Sequence, residues 1–308
     1  MINKTEKLLT QLVKLHPKYI DLSLDRLKIL LKKLGNPHLN LPPTIHIAGT
    51  NGKGSTLSFL QNILKNNKYT CHAYISPHLN RFNERIIINN KEITTTKLYN
   101  YLKHVKKINK NKPITFFEIT TAAAFLIFSK YKADFLLLET GLGGRLDATN
   151  IINKKQLSII TSISVDHQEY LGKTLKKITK EKLGITKYSN DIIIAKQKTE
   201  VQKIIYSKLK NNNNVIYHKK HFNFYNNNSS KFLFKFKNKL FNIDKPILLG
   251  NHQLENASTA LACAMILKSN GFRISEKKFN QSIKTTIWPG RLEFVNINNK
   301  RIILDGSH

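Results

Sequence analysis

Cysteine is scarce: Cys71 and Cys263 are the only two among 308 residues. Two thiols make no disulfide framework and suit a reducing compartment. Long apolar runs are missing too. The most apolar stretch, residues 122–128, is far too short to cross a bilayer, so no membrane association is expected. Residues 1–7 are polar and charged and carry no secretory signal. No internal repeat is visible. Acidic residues are few, 19 Asp and Glu against 51 Lys and Arg, which leaves a net charge of +32. A nucleic-acid reader would gather its basic residues beside stacking aromatics. Here the lysines are scattered over nearly every segment, alongside abundant Asn and Ile, as in the asparagine tracts at 211–214 and 226–228. A global compositional bias accounts for the charge, and no specific nucleic-acid partner is expected; attraction of anionic substrates at low salt is. An apolar content of 41% is enough for one large domain or two smaller ones in a soluble, cytoplasmic protein.

The chain is organised around His46-Ile47-Ala48-Gly49-Thr50-Asn51-Gly52-Lys53-Gly54-Ser55-Thr56. Residues 44–48 read as a buried strand, and Leu57, Phe59, Leu60, Ile63 and Leu64 recur at helical spacing. Strand, glycine turn, lysine and helix together cradle the phosphates of a nucleotide: backbone N–H groups approach the anion, and the helix start and the lysine add positive charge. The fit to G-x-x-x-x-G-K-[ST] is imperfect. The first glycine falls at Ile47, and Gly54 stands where a metal-binding hydroxyl belongs.

Along the chain, residues 1–40 are expected to be helical, with a leucine stripe from Leu24 to Leu34 stopped by Gly35. The loop His16-Pro17-Lys18-Tyr19-Ile20-Asp21 has no evident packing role. Residues 71–75 form the next strand, leading into a polar loop at 76–85 and a small hairpin at 86–93. Residues 97–107 are helical, and Thr115-Phe116-Phe117-Glu118 opens a further helix reaching Ser129. Glu118 reads equally as a charge complementing the helix dipole or as part of a wall for a flat aromatic ligand. Residues 134–139 form a strand ending in Glu139, a carboxylate placed to hold Mg²⁺ near the phosphate loop. The glycine-rich run 141–150 follows, then a strand at 157–163 with Asp166-His167 beyond its end. Residues 173–187 are helical and 191–195 a strand; 211–242 read as a peripheral β insert, 256–270 as a helix, and 293–304 as a hairpin about Asn298-Asn299. Strands alternating with helices from 44 to 195 predict an α/β fold with a doubly wound, largely parallel sheet of phosphate-loop ATPase type.

These segments together resemble the folylpolyglutamate synthase/dihydrofolate synthase family of the Mur ligase superfamily. The resemblance rests on 48–55, Ser76-Pro77-His78-Leu79, 139–150, Asp166-His167, Glu181-Lys182-Leu183-Gly184-Ile185, 252–257 and Trp288-Pro289-Gly290-Arg291, all in the family's order. It implies an ATP-dependent ligase that joins L-glutamate to dihydropteroate or folates through an acyl phosphate. It also implies that Thr50, Asn51, Gly52, Lys53, Gly54 and Ser55, with Asn256, Arg291 and Asp305, hold ATP. Ser76, Glu139, His167 and a carbamylated Lys182 would hold Mg²⁺, and Lys53, His167 and Lys182 would serve catalysis. Thr115, Phe116, Phe117, Glu118, Leu146, Asp147 and Ala148, with the loop around His16, would line the pterin site. The same resemblance puts a central ATPase domain with N-terminal helices at 1–288 and the start of a C-terminal domain, most of it missing, at 289–308, in a monomer. The segment 301–304 is then expected to be an unpaired apolar edge. Other readings are another Mur-type amino-acid ligase and a degenerate ATP-binding or nucleic-acid-associated protein.

Overall fold

The computed structural model of the chain describes residues 4–226, 229–290, 293–297 and 300–306. Thirteen strands alternate with helices. The strands are β1 Thr44–Ala48, β2 Cys71–Tyr74, β3 Ile86–Ile88, β4 Lys91–Glu92, β5 Phe135–Glu139, β6 Lys155–Ile160, β7 Ser189–Ile194, β8 Val215–Tyr217, β9 Phe222–Asn226, β10 Lys231–Phe236, β11 Lys239–Asp244, β12 Glu293–Ile297 and β13 Lys300–Leu304. The helices are α1 Lys4–Val13, α2 Asp25–Lys33, α3 Lys53–Asn66, α4 Thr95–Asn109, α5 Phe116–Phe128, α6 Gln168–Leu171, α7 Leu175–Leu183, α8 Thr199–Leu209, α9 Asn251–Ser269 and α10 Phe279–Lys284.

The main sheet runs β4-β3-β2-β5-β1-β6-β7-β8, with every pairing from β2 to β8 parallel and the β3–β4 hairpin antiparallel at one edge. The expected doubly wound α/β architecture is therefore the one observed. Its central strands are buried on both faces, which is why they read as continuous apolar runs. Ile45 and Ile47 of β1 pack with α3 and α9, whereas Leu136 and Leu138 of β5 face α5 on the opposite side. Farther along the sheet, Ile160, Ile192 and Ile194 pack with α7 and α8.

One expectation is corrected. Val215–Tyr217 belongs to the main sheet, parallel to β7, so the insert is only the antiparallel sheet β11-β10-β9. Short apolar strands carry no mark of which sheet they join. The insert packs Phe222, Phe232, Phe234 and Phe236 into the α9 side of the core. The expected hairpin is present: β13 bonds β12 in a two-stranded sheet of their own, which leaves the outer side of β13 without a strand partner among the described residues and Ile302, Ile303 and Leu304 exposed. Among the described residues no helix is long and apolar enough to cross a membrane.

Candidate active site

Adjacent strands β2, β5 and β1 end side by side, and ligands of such sheets bind beyond the carboxyl ends of the strands. There β1 gives way to the glycine loop, β5 ends on Glu139, and Ser76 follows β2. The loop is split in function. The N–H groups of Thr50 and Asn51 both donate to Ser162 O (2.8 and 3.2 Å), and Thr50 Oγ1 donates to Ser164 O at 3.1 Å. These tie the loop to the end of β6, so the two amides point into the protein rather than toward a ligand. The N–H groups left for an anion are those of Lys53, Gly54 and Ser55, because the first bond inside α3 is Thr56 N to Gly52 O at 2.9 Å.

Gly54 has a steric reason to be glycine. A Cβ there would lie 2.9 Å from the Trp288 ring, so the hydroxyl residue usual after the lysine has no room. Asn256 also reaches the loop: its Oδ1 would be 2.3 Å from a Cβ on Gly52, which caps α3 with φ 85°. Asp305 is exposed on the segment after β13. Arg291 lies outside the described residues.

Lys53 Nζ donates to Gly49 O and Thr50 O, each at 3.1 Å. Lys182, buried at the end of α7, donates to the same Gly49 O at 2.9 Å. Burial, with the Lys53 ammonium beside it, pushes the Lys182 amine down to about 8, although Asp166 and Asp147 act in the other direction. A substantial neutral fraction at ordinary pH makes this amine a nucleophile.

Glu139 is buried and accepts the Ser76 N–H at 3.2 Å, while the buried Ser76 Oγ finds no partner among the described residues. An orphaned hydroxyl beside a buried carboxylate fits a hard, oxygen-seeking cation. His167 stands at the start of α6 with φ 45°, its Nε2 3.5 Å from Asp166 Oδ1. Among the described residues no three His, Cys, Asp or Glu side chains converge, so a cation here takes few protein ligands. Mg²⁺ tolerates this, since it keeps waters and phosphate oxygens.

Next to these residues lies a cavity of 320 Å³. It is lined by all seven residues that the family resemblance assigns to the pterin site, and also by Ser76 and His167. Glu118 both opens a helix and lines the cavity. Its Oε2 accepts Thr115 N (2.8 Å), Thr115 Oγ1 (2.7 Å) and Arg26 Nε (3.1 Å), closing a capping box at the start of α5. Its buried Oε1 has no partner among the described residues, an arrangement that costs stability unless a ligand donates to it. Phe116 and Phe117 supply aromatic wall, and Tyr19 stacks on Phe116 with centroids 6.3 Å apart.

Asp147 is in its expected place. It lines the cavity, but its carboxylate accepts Thr149 N, Thr149 Oγ1, Leu142 N and Gly141 N, which uses its acceptor capacity inside the protein. Burial nonetheless raises its carboxyl above the usual range. Its hydrogen bonds shape the wall from within.

The loop around His16 joins the lining as the resemblance implies, through Tyr19, Ile20 and Asp21 and on to Leu22 and Ser23, though not through His16-Pro17 themselves. Two contributors were not foreseen. Arg26 bridges Asp21 (2.9 Å) and Glu118, and Arg85, buried and bonded to His78, reaches the same cavity. The lack of any packing role for 16–21 was the one visible signal; nothing near Arg26 in sequence distinguishes it from other basic residues on a leucine-rich helix.

A Mur ligase middle domain model matches residues 47–264. The dihydrofolate synthase/folylpolyglutamate synthase of Bacillus subtilis is 36% identical over 302 residues, covering 92% of this chain and 69% of that protein. The dihydrofolate synthetase of Saccharomyces cerevisiae is 33% identical, covering 94% of this chain and 70% of that one. Escherichia coli FolC in complex with DHPP and ADP superposes with a TM-score of 0.86 at 31% identity, covering 99% of this chain and 71% of FolC. On the strength of these matches, the chain belongs to the dihydrofolate synthase/folylpolyglutamate synthase family, built on the Mur ligase middle domain.

Proposed function

We propose that this chain is an ATP-dependent carbon–nitrogen ligase that joins L-glutamate to dihydropteroate or folates. The observation that carries the reading is one juxtaposition: Ser76 belongs both to the aromatic cavity and to the row of strand ends bearing Glu139 and the phosphate loop. A pteroyl group in the cavity would thus present its far end to a nucleotide on α3. ATP supplies the phosphoryl group: a substrate carboxylate oxygen attacks the γ-phosphorus, ADP departs, and the glutamate amine then displaces phosphate from the acyl carbon.

The chain's own residues do the positioning. Lys53 and the N–H groups opening α3 meet the phosphates, and Asn256, Arg291 and Asp305 join the nucleotide contacts. Ser76, Glu139, His167 and a carbamylated Lys182 would hold Mg²⁺, which when bound neutralises charge on the phosphate oxygens. Carbamylation suits Lys182 because it is buried beside Lys53, where an ammonium is disfavoured. Glu118 Oε1 awaits an N–H donor of a flat heterocycle between Phe117 and the opposite wall. A cytoplasmic location and a monomeric state belong to the same reading, in keeping with two buried, unpaired cysteines. So does a domain boundary at 288/289, after which β12 and β13 make a separate sheet.

The test is a ligase assay of the purified chain with dihydropteroate, glutamate, ATP and Mg²⁺, read by mass spectrometry. A product heavier by one glutamyl unit is expected. Mg²⁺-dependent ATP binding with no such product identifies an ATP-binding module without ligase activity instead.

A further inference from the structure

His46 sits in the middle of β1, fully buried, three residues before the glycine loop, yet it touches neither the phosphate loop nor the cavity. Its Nε2 lies 2.8 Å from Thr149 Oγ1, and Thr149 Oγ1 lies 2.5 Å from Asp147 Oδ1. The proton directions follow from the chemistry. Burial raises the Asp147 carboxyl, but the three backbone N–H groups it accepts, from Thr149, Leu142 and Gly141, favour the carboxylate, and Thr149 Oγ1 donates to it as well. The single hydroxyl proton of Thr149 therefore goes to Asp147, and the hydroxyl oxygen must receive one from the imidazole. His46 is then the Nε2–H tautomer, and its Nδ1 is a bare lone pair without a partner among the described residues. Burial and the Lys155 ammonium hold the ring neutral, as this arrangement requires.

At the far end of the relay, Asp147 anchors Gly141 and Leu142, which form one wall of the cavity. That wall is in tight contact with an aromatic: a Cβ on Gly141 would lie 2.5 Å from the Phe117 ring. A small shift of Gly141 therefore moves Phe117.

We propose that His46 is a positioning residue for the substrate cavity, whose Nε2–H, acting through Thr149 and Asp147, fixes the Gly141–Leu142 wall and the seat of Phe117. The proposal rests on the reading that this cavity takes the pteroyl group. It predicts a residue that governs pteroate affinity without governing nucleotide affinity, although it lies on the strand that carries the phosphate loop.

The experiment uses the full chain, with dihydropteroate and ATP as probes. Long-range ¹H–¹⁵N spectra of the imidazole are expected to show the Nε2–H tautomer. Loss of the relay in His46→Leu or Thr149→Val is expected to weaken dihydropteroate binding about tenfold while ATP affinity stays within about twofold. His46→Gln, whose amide donor can stand near the Nε2 position, and Thr149→Ser are expected to restore most of the pteroate affinity. Thr149→Val preserves shape and keeps the test alive if a His46 variant fails to fold. An Nδ1–H signal, wild-type pteroate affinity in both relay variants, or parallel loss of ATP and pteroate affinity overturns the inference. If the wild type binds ATP but no dihydropteroate, the reading of the cavity fails and the inference with it.

Discussion

Lys155 and Lys182 are a matched pair in different regions. Both side chains are buried, and burial is the leading cause that pushes each from 10.5 to about 8. Lys155 opens β6, an interior strand, at the end remote from the phosphate loop. Its Nζ donates to Asn150 Oδ1, Ile185 O and Lys187 O, all at 2.9 Å, so every ammonium proton has an acceptor. Lys182, on α7, reaches the glycine loop and makes one hydrogen bond among the described residues, to a carbonyl that Lys53 already occupies. The lesson is that a depressed pKa does not identify a working lysine. The count of satisfied protons does: Lys155 is a rivet between the 150 loop and the 185–187 segment, whereas Lys182 has protons to spare and a cation for a neighbour.

The sharpest way to test that distinction starts with the lysine that shares the Gly49 carbonyl. Lys53→Ala is expected to reduce glutamate-ligase turnover at least about a hundredfold, since charge stabilisation on a transferring phosphoryl group carries most of the catalysis. Steady-state kinetics with dihydropteroate checks it. Replacement by methionine then separates the matched pair. Lys182→Met is expected to cost turnover heavily, about a hundredfold, with unfolding free energy unchanged or raised, because a buried charge has been removed. Lys155→Met is expected to do the reverse, losing about 1–3 kcal/mol of stability through its stranded acceptors while the folded protein keeps its turnover. Urea titration beside the kinetic assay distinguishes them; destabilisation of both to the same degree breaks the comparison.

A smaller effect is the pH slope. Each lysine titrates near 8 when folded and near 10.5 when unfolded, so between these values the unfolded chain binds more protons. The penalty of burying each ammonium is fully present below about 8 and is relieved as pH rises toward 10.5, so these two groups make the unfolding free energy increase with pH across that window. In Lys155→Met the part of the slope due to that residue should vanish, as denaturant titrations at several pH values would reveal. Smallest of all, Glu118→Gln is expected to raise the KM for dihydropteroate several-fold, roughly the worth of one charge-assisted hydrogen bond in a dry site, and to leave the KM for ATP alone.

Much of this was legible before any coordinates. The strand at 44–48, the helix that follows the glycine loop and the helix opened by Thr115-Phe116-Phe117-Glu118 are written in spacing, because their partners lie within a few residues of one another. The cavity lining was legible in part: the residues at 115–118 offered a wall for a flat ligand, and the resemblance of 139–150 to a known family added Leu146, Asp147 and Ala148. What stayed hidden has a common feature. Thr50 and Asn51 look like phosphate ligands in the motif, and only the return of β6 beside β1 turns their amides onto Ser162. Val215–Tyr217 looks like the first strand of the insert until β7 offers it a parallel edge.

By itself, the sequence determined the α/β alternation, the order of the elements and the nature of the phosphate loop, since these follow from local propensity and hydrophobic spacing. The tertiary structure alone decided which partners the charged groups find. Arg26 meets Glu118 across 92 residues, and Lys182 meets Gly49 across 133. The same is true of the Trp288 ring that excludes a side chain at Gly54. No local pattern encodes such meetings, because a buried charge takes whichever acceptor the packing of distant elements leaves within reach.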